Sequence, residues 1–325
     1  MLTTSFLFWL AVILAAVTAV DEQTVTHLRG VDTAAVVGTV APAAEAPVVE
    51  EQTATSQSPT SASTCQLTHG QAKRLLLNCQ SDRIRFVGIG DWGEAKETSG
   101  VRAVRDGLLR DAPNADFILS VGDNFYDNGV KSVNDPQWQK TWVERFGIGS
   151  KLNVPWISIL GNHDHKGSTQ AQVDYAKGSQ PGSKYWVMPD RMFSIDTTAN
   201  GHQMRVIATD TEKLGERGDN SDAKILQLNS ILQSSKVKAY FGGHEHDMQV
   251  LQSGNLDYFM FGGGGRSIQT GKTPPGTKAK TLFYALRYGY AIFDLDVAQR
   301  QLSVTYKMFN LNGSRAEERT FTRQY

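Results

Sequence analysis

Residues 84–93 read IRFVGIGDWG, an apolar run that ends in glycine and is followed at once by an aspartate. The pattern returns in FILSVGDN at 117–124 and in WISILGNHD at 156–164. Short apolar runs bounded by glycine are typical of buried strands. Two predicted helices separate the three runs. The first follows Ser99, which we expect to cap it, and the second lies at 136–146. This order predicts parallel strand–helix–strand units.

The second half of the chain predicts strands with few helices between them. A strand at 204–210 is followed by a helix at 225–232, and the later strands are expected at 237–241, 258–261, 291–295 and 302–306. Because long helices do not separate these later strands, we expect more antiparallel pairing there. The prediction is therefore a mixed α/β (α+β) fold.

Polar side chains follow the ends of these strands and suggest a metal site. Asp91, Asp123 and Asn162 each come directly after a strand-ending glycine, and a later strand leads into His244 and His246. The carboxyl ends of parallel strands meet at one edge of a sheet, so we expect these side chains to converge. Oxygen and nitrogen donors of this mixture suit hard or borderline metals.

Four motifs in this order resemble those of one family. G-D-W-G begins at Gly90, G-D-N-F-Y at Gly122, G-N-H-D-H at Gly161 and G-H-E-H at Gly243. The chain resembles the small, tartrate-resistant type of purple acid phosphatase, within the calcineurin-like metallophosphoesterases. The resemblance spans roughly residues 84–308 and implies a four-layer α/β/β/α sandwich of two mixed sheets.

The resemblance also implies roles for individual residues at a dinuclear centre. Fe(III) is expected on one side and a divalent metal (Fe, Zn or Mn) on the other. The Fe(III) ligands are expected to be Asp91, Tyr126 and His246, with Asp123 bridging both metals and with Asn162 and His244 on the divalent metal. His163 is expected near the substrate, where it stabilises charge or protonates the leaving alcohol; a purely structural role is the alternative.

The expected activity is that of an acid phosphatase, which hydrolyses phosphomonoesters by attack of a metal-bound hydroxide. Phenolate binds ferric iron well, and the charge-transfer band of that pair would colour the protein purple. Related enzymes often carry a histidine two residues after the first aspartate, but this chain has Gly93 there. Tyr126 is expected to supply the ligand that this position lacks.

One family motif, V-x-x-H, is absent from the sequence. Its histidine completes the divalent site in the family, and it belongs between the helix at 225–232 and the strand at 237–241. Only four residues, 233–236, separate these elements here, so a strand–helix block is missing between 235 and 237. We expect a weaker second metal and an exposed or rearranged sheet edge.

Alternatives follow from this gap. The chain could be an impaired or inactive relative that binds metal and phosphate or a partner, and a metallophosphodiesterase would use the same motifs. His165 or His202 could replace the missing ligand. The sequence leaves open whether the block is lost from a gene model, removed by splicing or naturally absent.

The first 64 residues differ from the rest of the chain. Residues 6–17 read FLFWLAVILAAV and lead to small residues, which predicts a signal peptide at 1–20; a membrane anchor is the alternative. Residues 21–64 are rich in Ser, Thr, Ala and Pro and predict a disordered linker. Residues 65–325 form the expected catalytic domain. Signal cleavage implies a secreted protein without a membrane contact, or alternatively a vacuolar or lysosomal one.

Cysteine content and charge narrow the class further. Cys65 and Cys79 are the two cysteines and would pair in an exported protein. Asn312-Gly313-Ser314 is a glycosylation sequon. The whole chain has 33 basic and 33 acidic residues, which is not the basic excess of a nucleic-acid-binding protein. We expect a monomer that acts on phosphomonoesters and binds no nucleic acid.

Overall fold

A computed structural model describes residues 65–71, 73–212, 232, 237–268 and 279–325, and the backbone of residues 11–16. The strands are β1 (Ala11–Ala16), β2 (Cys65–His69), β3 (Arg74–Cys79), β4 (Arg83–Ile89), β5 (Phe117–Ser120), β6 (Trp156–Ser158), β7 (Trp186–Val187), β8 (Phe193–Ala199), β9 (His202–Thr209), β10 (Ala239–Gly242), β11 (Met248–Ser253), β12 (Leu256–Phe261), β13 (Lys280–Ala285), β14 (Tyr288–Asp296), β15 (Gln301–Phe309) and β16 (Arg315–Gln324).

The helices are short and lie mostly between the early strands. They are α1 (Ser99–Asp111), a π-helical segment (Trp138–Val143) that continues into α2 (Glu144–Phe146), α3 (Thr169–Tyr175), and single 3₁₀ turns at Ala112–Asn114, Asp164–Lys166 and Ser183–Tyr185. Among the described residues, none of these helices has the length and apolar character needed to cross a membrane.

The predicted parallel units form half of one sheet. Its strand order is β16-β15-β14-β4-β5-β6-β7, in which β4 to β7 run parallel and β14, β15 and β16 add antiparallel pairs. The three predicted central strands are confirmed, and the predicted antiparallel pairing is confirmed for β14 and β15. It is wrong for β10 and β12, which pair parallel because the unpredicted strand β11 lies between them in the chain and runs antiparallel to β12. The predicted cap of helix α1 is wrong by one residue: the side chain of Thr98, and not that of Ser99, accepts a hydrogen bond from the backbone amide of Val101.

The second sheet has the order β13-β11-β12-β10-β1-β9-β8-β3-β2 in the described part of the chain. Besides β1, five strands of this sheet were not predicted from the sequence: β2, β3, β8, β11 and β13. Of these, β3 pairs antiparallel with β2 and parallel with β8. Cys65 of β2 lies opposite Cys79 of β3, and a disulfide joins the two cysteines. The helix predicted at 225–232 lies outside the described residues, apart from Leu232.

A core of apolar side chains joins the inner faces of the two sheets. The Phe86 ring from β4 contacts the Phe241 ring from β10 edge to face at 5.9 Å, and it stacks on Phe293 from β14 at 4.6 Å. Each of these side chains is buried, and a buried aromatic pair contributes about 0.5–1.5 kcal/mol beyond its area. The arrangement is the mixed α/β sandwich that the sequence predicts.

The N-terminal apolar segment contributes a strand to the second sheet. Residues 11–16, inside the predicted signal peptide, form β1 between β9 and β10. The rest of the predicted signal and the whole of the predicted linker at 21–64 lie outside the described residues. β1 thus occupies an interior position of the second sheet.

Candidate metal centre

The structure brings all seven predicted site residues together at the carboxyl ends of β4, β5, β6 and β10. The Tyr126 phenol oxygen lies 3.0 Å from Asp91 Oδ1, 2.7 Å from Asp123 Oδ2 and 3.2 Å from His246 Nε2. His246 Nε2 is also 3.5 Å from Asp91 Oδ1. Ligand atoms from Asp91, Asp123 and His246 all lie within 4.8 Å of one another. One cation could therefore contact all four side chains.

The remaining predicted ligands lie on the other side of the aspartates. The Asn162 Oδ1 atom is 3.0 Å from His244 Nδ1, and the backbone amide of His244 donates to Asp91 Oδ2 at 2.8 Å. The backbone amide of His163 donates to Asp123 Oδ1 at 2.9 Å. Asp123 thus has one carboxylate oxygen toward the tyrosine group and the other toward the Asn162–His163 loop, as a bridging ligand requires.

Backbone strain marks these strand ends. Asp91, Asp123 and His244 have φ angles of 58°, 50° and 72°, in the left-handed region. That conformation costs a residue with a side chain roughly 1–2 kcal/mol. Such strain concentrates at functional sites, where it aims a side chain that relaxed backbone would point elsewhere.

Two glycines allow the loops to approach each other closely. A Cβ atom on Gly161 would lie 2.1 Å from Asp123 Oδ1, so a side chain there would displace the expected bridging ligand. A Cβ atom on Gly93 would lie 2.3 Å from the Asn124 carbonyl oxygen. With the loops this close, position 93 has no room for a side chain, and Tyr126 faces the cluster instead.

The electrostatics of the cluster favour a cation. Burial and then the charge of Asp91 raise the pKa of Asp123, and burial with the charges of both aspartates raises the pKa of Tyr126 well above its ordinary value. Asp91, Asp123 and Tyr126 are each at most 3% exposed. Two buried carboxylates and a phenol repel one another as anions, and a bound metal ion removes that cost. The donor set and its geometry fit a hard metal such as ferric iron.

A buried polar network, which the sequence analysis missed, holds the loops in place. The Asp164 carboxylate accepts the backbone amides of Gly161 (2.8 Å), Asn124 (3.1 Å) and Phe125 (3.2 Å), and it also accepts Gln172 Nε2 (2.8 Å). Burial and then the charge of Asp123 raise the pKa of Asp164 to about 7. Asp164 therefore connects the loop after β5 to the loop after β6.

Asn124 and Trp92 extend this network toward β4. Asn124 Nδ2 donates to the Ile159 carbonyl at 2.7 Å, and its Oδ1 accepts the Ser120 hydroxyl at 2.6 Å. The Trp92 indole N–H in turn donates to Ser120 Oγ at 2.7 Å. The motif residues between the expected ligands are thus supports for them. The sequence feature that could have indicated the supporting role of Asn124 and Asp164 is their position inside the motifs, close to an expected ligand.

Arg266 is another residue near the site that the sequence analysis passed over. Its guanidinium lies 4.7 Å from the centre of the Tyr126 ring. It also pairs with Glu94 at 2.6 Å and with Asp127 at 2.8 Å. The two ion pairs hold the cation over the phenol, and a cation in that position stabilises negative charge on the ring.

The two proposed replacements for the missing histidine have different positions. His202 is at the start of β9, about seven residues or roughly 23 Å from the strand end that faces the site, so it cannot supply a ligand. His165 is near the site, but its Nε2 contacts both oxygens of Asp210 at 2.9 and 3.0 Å. In this position the Nε2 atom of His165 binds Asp210 and does not face the metal cluster as a ligand.

Glu212 is a further acidic residue near the site. Its backbone amide donates to Asp210 Oδ1 at 3.2 Å, just beyond the end of β9. Burial raises the pKa of Glu212; the positive charges of His165 and His244 lower it, while Asp210 and Asp123 raise it. Glu212 therefore lies within electrostatic range of the expected divalent side.

The His165–Asp210 pair predicts a pH dependence of stability. Burial opposes protonation of His165, but the hydrogen bond and charge of Asp210, with Glu212 and Asp164, outweigh it and raise its pKa. A raised folded pKa stabilises the protein below about pH 6.5, the unfolded value, and this stabilisation is lost as pH rises through the folded pKa. We expect His165→Gln to remove this part of the pH dependence in urea unfolding at pH 5.5 and 8.5. An unchanged pH profile would contradict the assignment, and His202→Gln is the exposed control.

Comparisons with known proteins identify relatives of this chain. The sequence profile of the calcineurin-like phosphoesterases matches residues 84–248. Tartrate-resistant acid phosphatase type 5 of Sus scrofa is 27% identical over 288 residues, covering 69% of this chain and 83% of that protein. The Mus musculus protein of the same name is 34% identical over 259 residues, covering 61% of this chain and 75% of its own length. Purple acid phosphatase 3 of Arabidopsis thaliana is 24% identical over 287 residues, covering 73% and 78%.

A solved structure supports the fold. The chain matches a structure described as "GAP50 the anchor in the inner membrane complex of Plasmodium", with a TM-score of 0.59 and 20% identity, over 75% of this chain and 90% of that one. At this identity the match supports the fold alone. The profile match and the identity to acid phosphatases, together with the four motifs, show that the chain belongs to the calcineurin-like phosphoesterase family and is a purple acid phosphatase-like metallophosphoesterase.

Proposed function

We propose that this chain hydrolyses phosphomonoesters at acidic pH with a dinuclear Fe(III)–M(II) centre. The observation that carries the proposal is the position of the Tyr126 phenol oxygen within 3.2 Å of atoms from Asp91, Asp123 and His246. A phenol among two carboxylates and an imidazole is a donor set for ferric iron. When bound, the metals would activate a water molecule and neutralise charge on the phosphate.

The chain's own residues would then position and protonate the substrate. His163 Nδ1 lies 2.6 Å from the Asp127 carbonyl oxygen, which can only accept, and 3.2 Å from Lys166 Nζ, which can only donate. The shorter contact favours the tautomer in which Nδ1 donates to the carbonyl. This tautomer leaves Nε2 as the nitrogen that can hold a proton for the leaving alcohol. Lys166 Nζ, 3.2 Å from Nδ1, adds positive charge beside the ring. The His163 ring is 4.3 Å from the Tyr126 ring, next to the proposed iron ligands.

The divalent side has fewer donors than the iron side. Asp123, Asn162 and His244 are present, and the histidine of V-x-x-H is absent from the sequence. We therefore propose that the second metal binds more weakly than the first. A member that binds one iron and phosphate without turnover is the second candidate function, and the missing ligand favours it.

Metal analysis combined with an activity assay tests the proposal. The purified protein is expected to contain iron and a second metal and to hydrolyse p-nitrophenyl phosphate at acidic pH. One tightly bound iron without turnover would overturn the phosphatase proposal and support the second candidate. Faster hydrolysis of bis(p-nitrophenyl) phosphate than of the monoester would identify a phosphodiesterase instead.

Tyr126→Phe is expected to abolish the visible absorption band of the iron-loaded protein. The substitution removes only the phenol oxygen, so Asp91, Asp123 and His246 still hold iron, with a lower affinity. The measurement is the absorption spectrum together with the iron content of the same sample. Tyr185→Phe, whose hydroxyl contacts Asn153 away from the site, is the control. A band that persists in Tyr126→Phe would show that another residue supplies the phenolate.

Export, glycosylation and the monomeric state stay predictions. Asn312 lies in the turn between β15 and β16, where its side chain is exposed and accepts the Ser314 amide at 2.9 Å. An exposed turn is compatible with a glycan. Export with removal of residues 1–20 would also remove β1 from the sheet.

A further inference from the structure

The position between β9 and β10 is an interior place in the nine-stranded sheet. β1 pairs antiparallel with both neighbours: Ala11–Ala16 lies opposite 209–204 of β9, and residues 12–14 lie opposite 241–239 of β10. β9 and β10 are therefore parallel to each other and separated by two strand spacings, about 9.5 Å. Without β1, both strands would have unpaired backbone groups inside the sheet.

The chemistry of this position suits an apolar strand. Val206, Ile207 and Ala208 of β9 and Tyr240 and Phe241 of β10 are buried, so the position is covered on both faces. A strand buried on both faces reads as a continuous apolar run and not as an alternating one. Residues 6–17, FLFWLAVILAAV, are such a run.

The occupied position is the one that the missing block leaves open. A strand that follows β9 through a helix would be parallel to β9 and would lie beside it. The sequence predicts no such strand before β10, because only residues 233–236 separate the predicted helix from the next strand. β1 lies beside β9 in the same way but runs in the opposite direction. The 48 residues at 17–64 can span up to about 160 Å, so the N-terminal segment can reach this place.

We propose that residues 11–16 act as an intramolecular donor strand, which replaces the absent strand between β9 and β10 and remains part of the folded protein. The strand then controls the spacing of two functional loops. β9 leads directly to Asp210 and Glu212, and β10 leads to His244. A chain that loses its N-terminal apolar segment has an open position behind the divalent side of the metal centre.

Disulfide trapping in the full-length chain tests the register. Val12 lies opposite Ala208, and opposed residues of antiparallel strands are about 4.5–5.5 Å apart at Cα, within disulfide range. We expect the V12C/A208C double variant to form a second disulfide in most molecules, detected by non-reducing peptide mass spectrometry. V12C/I207C is the matched control, because a one-residue shift places the two side chains on opposite faces. The native Cys65–Cys79 disulfide remains in both.

Equal trapping in the two variants, or none in V12C/A208C, would overturn the proposal. N-terminal sequencing of the same samples decides directly whether residues 11–16 are retained. A mature chain that starts after Ala16 would also overturn it and would support the signal peptide. None of these measurements uses phosphatase activity, so they fail or succeed independently of the proposed function.

Hydrogen exchange gives a second measurement that does not need new cysteines. Ile13→Pro removes a backbone donor from the middle of β1, and proline is not tolerated in an interior strand. We expect amides of β9 and β10 to exchange at least tenfold faster in this variant, with β14 unchanged. Ala34→Pro, outside the strand, is the control. Identical exchange in Ile13→Pro and the unmodified chain would show that β1 does not support its neighbours.

Discussion

Asp123→Asn is expected to lower the rate of phosphomonoester hydrolysis by roughly 10³-fold. Asp123 is the residue that faces both halves of the site: its Oδ2 is 2.7 Å from the Tyr126 phenol oxygen, and its Oδ1 accepts the His163 amide at 2.9 Å. Asparagine keeps the size and shape of the side chain but loses the negative charge. A neutral amide cannot bridge two cations as a carboxylate does, so metal binding and turnover should fall together.

The measurement compares steady-state kinetics with metal content for the variant and the unmodified chain. Circular dichroism of both shows whether the fold is kept. Asp174→Asn is a matched control, because Asp174 is a half-exposed residue of α3 whose side chain contacts Gln170 and Lys177. Full activity with full metal content in Asp123→Asn would exclude a bridging role for this carboxylate.

Asp164→Ala is expected to destabilise the fold by about 3 kcal/mol. The carboxylate is fully buried and accepts the backbone amides of Gly161, Asn124 and Phe125, as well as Gln172 Nε2. Alanine leaves these donors without their acceptor and opens a small cavity. Each unsatisfied buried donor costs about 1–3 kcal/mol, and partial relaxation of the loops recovers part of that cost.

Urea unfolding with the metal-free protein measures this effect separately from metal binding. Asp174→Ala serves as the surface control and should change the free energy of unfolding by less than about 0.5 kcal/mol. Because Asp164 connects the loops that carry Asp123 and Asn162, the metal-loaded variant should also lose activity. A variant with unchanged stability but reduced activity would move Asp164 from a supporting role to a direct one.

The strand-end motifs allowed the site to be predicted from the sequence. Asp91, Asp123 and Asn162 follow three parallel strands, and the carboxyl ends of parallel strands lie at one edge of a sheet. The supporting residues were harder to find. Asp164 accepts hydrogen bonds from two loops that are about 40 residues apart, and nothing in its local sequence indicates those partners.

The missing histidine shows the same limit. His165 and His202 were both open candidates in the sequence, because neither histidine had an assigned role. In the folded chain, His202 lies at the far end of β9, and His165 contacts Asp210. Only the direction of β9 distinguishes them, and strand direction depends on the pairing of the whole sheet.

The amino-acid sequence is sufficient to predict the strands that lead into the four motifs and, from the order of those motifs, a metal site, since apolar runs and the chemistry of ligand side chains are local properties. The folded chain is needed to show which segment completes the second sheet, which histidine can reach the site and which buried carboxylate supports it. These features depend on contacts between residues that are distant in the chain. Backbone groups in a sheet interior require a partner, but the partner can come from any segment of suitable length and polarity. Here it comes from Ala11–Ala16.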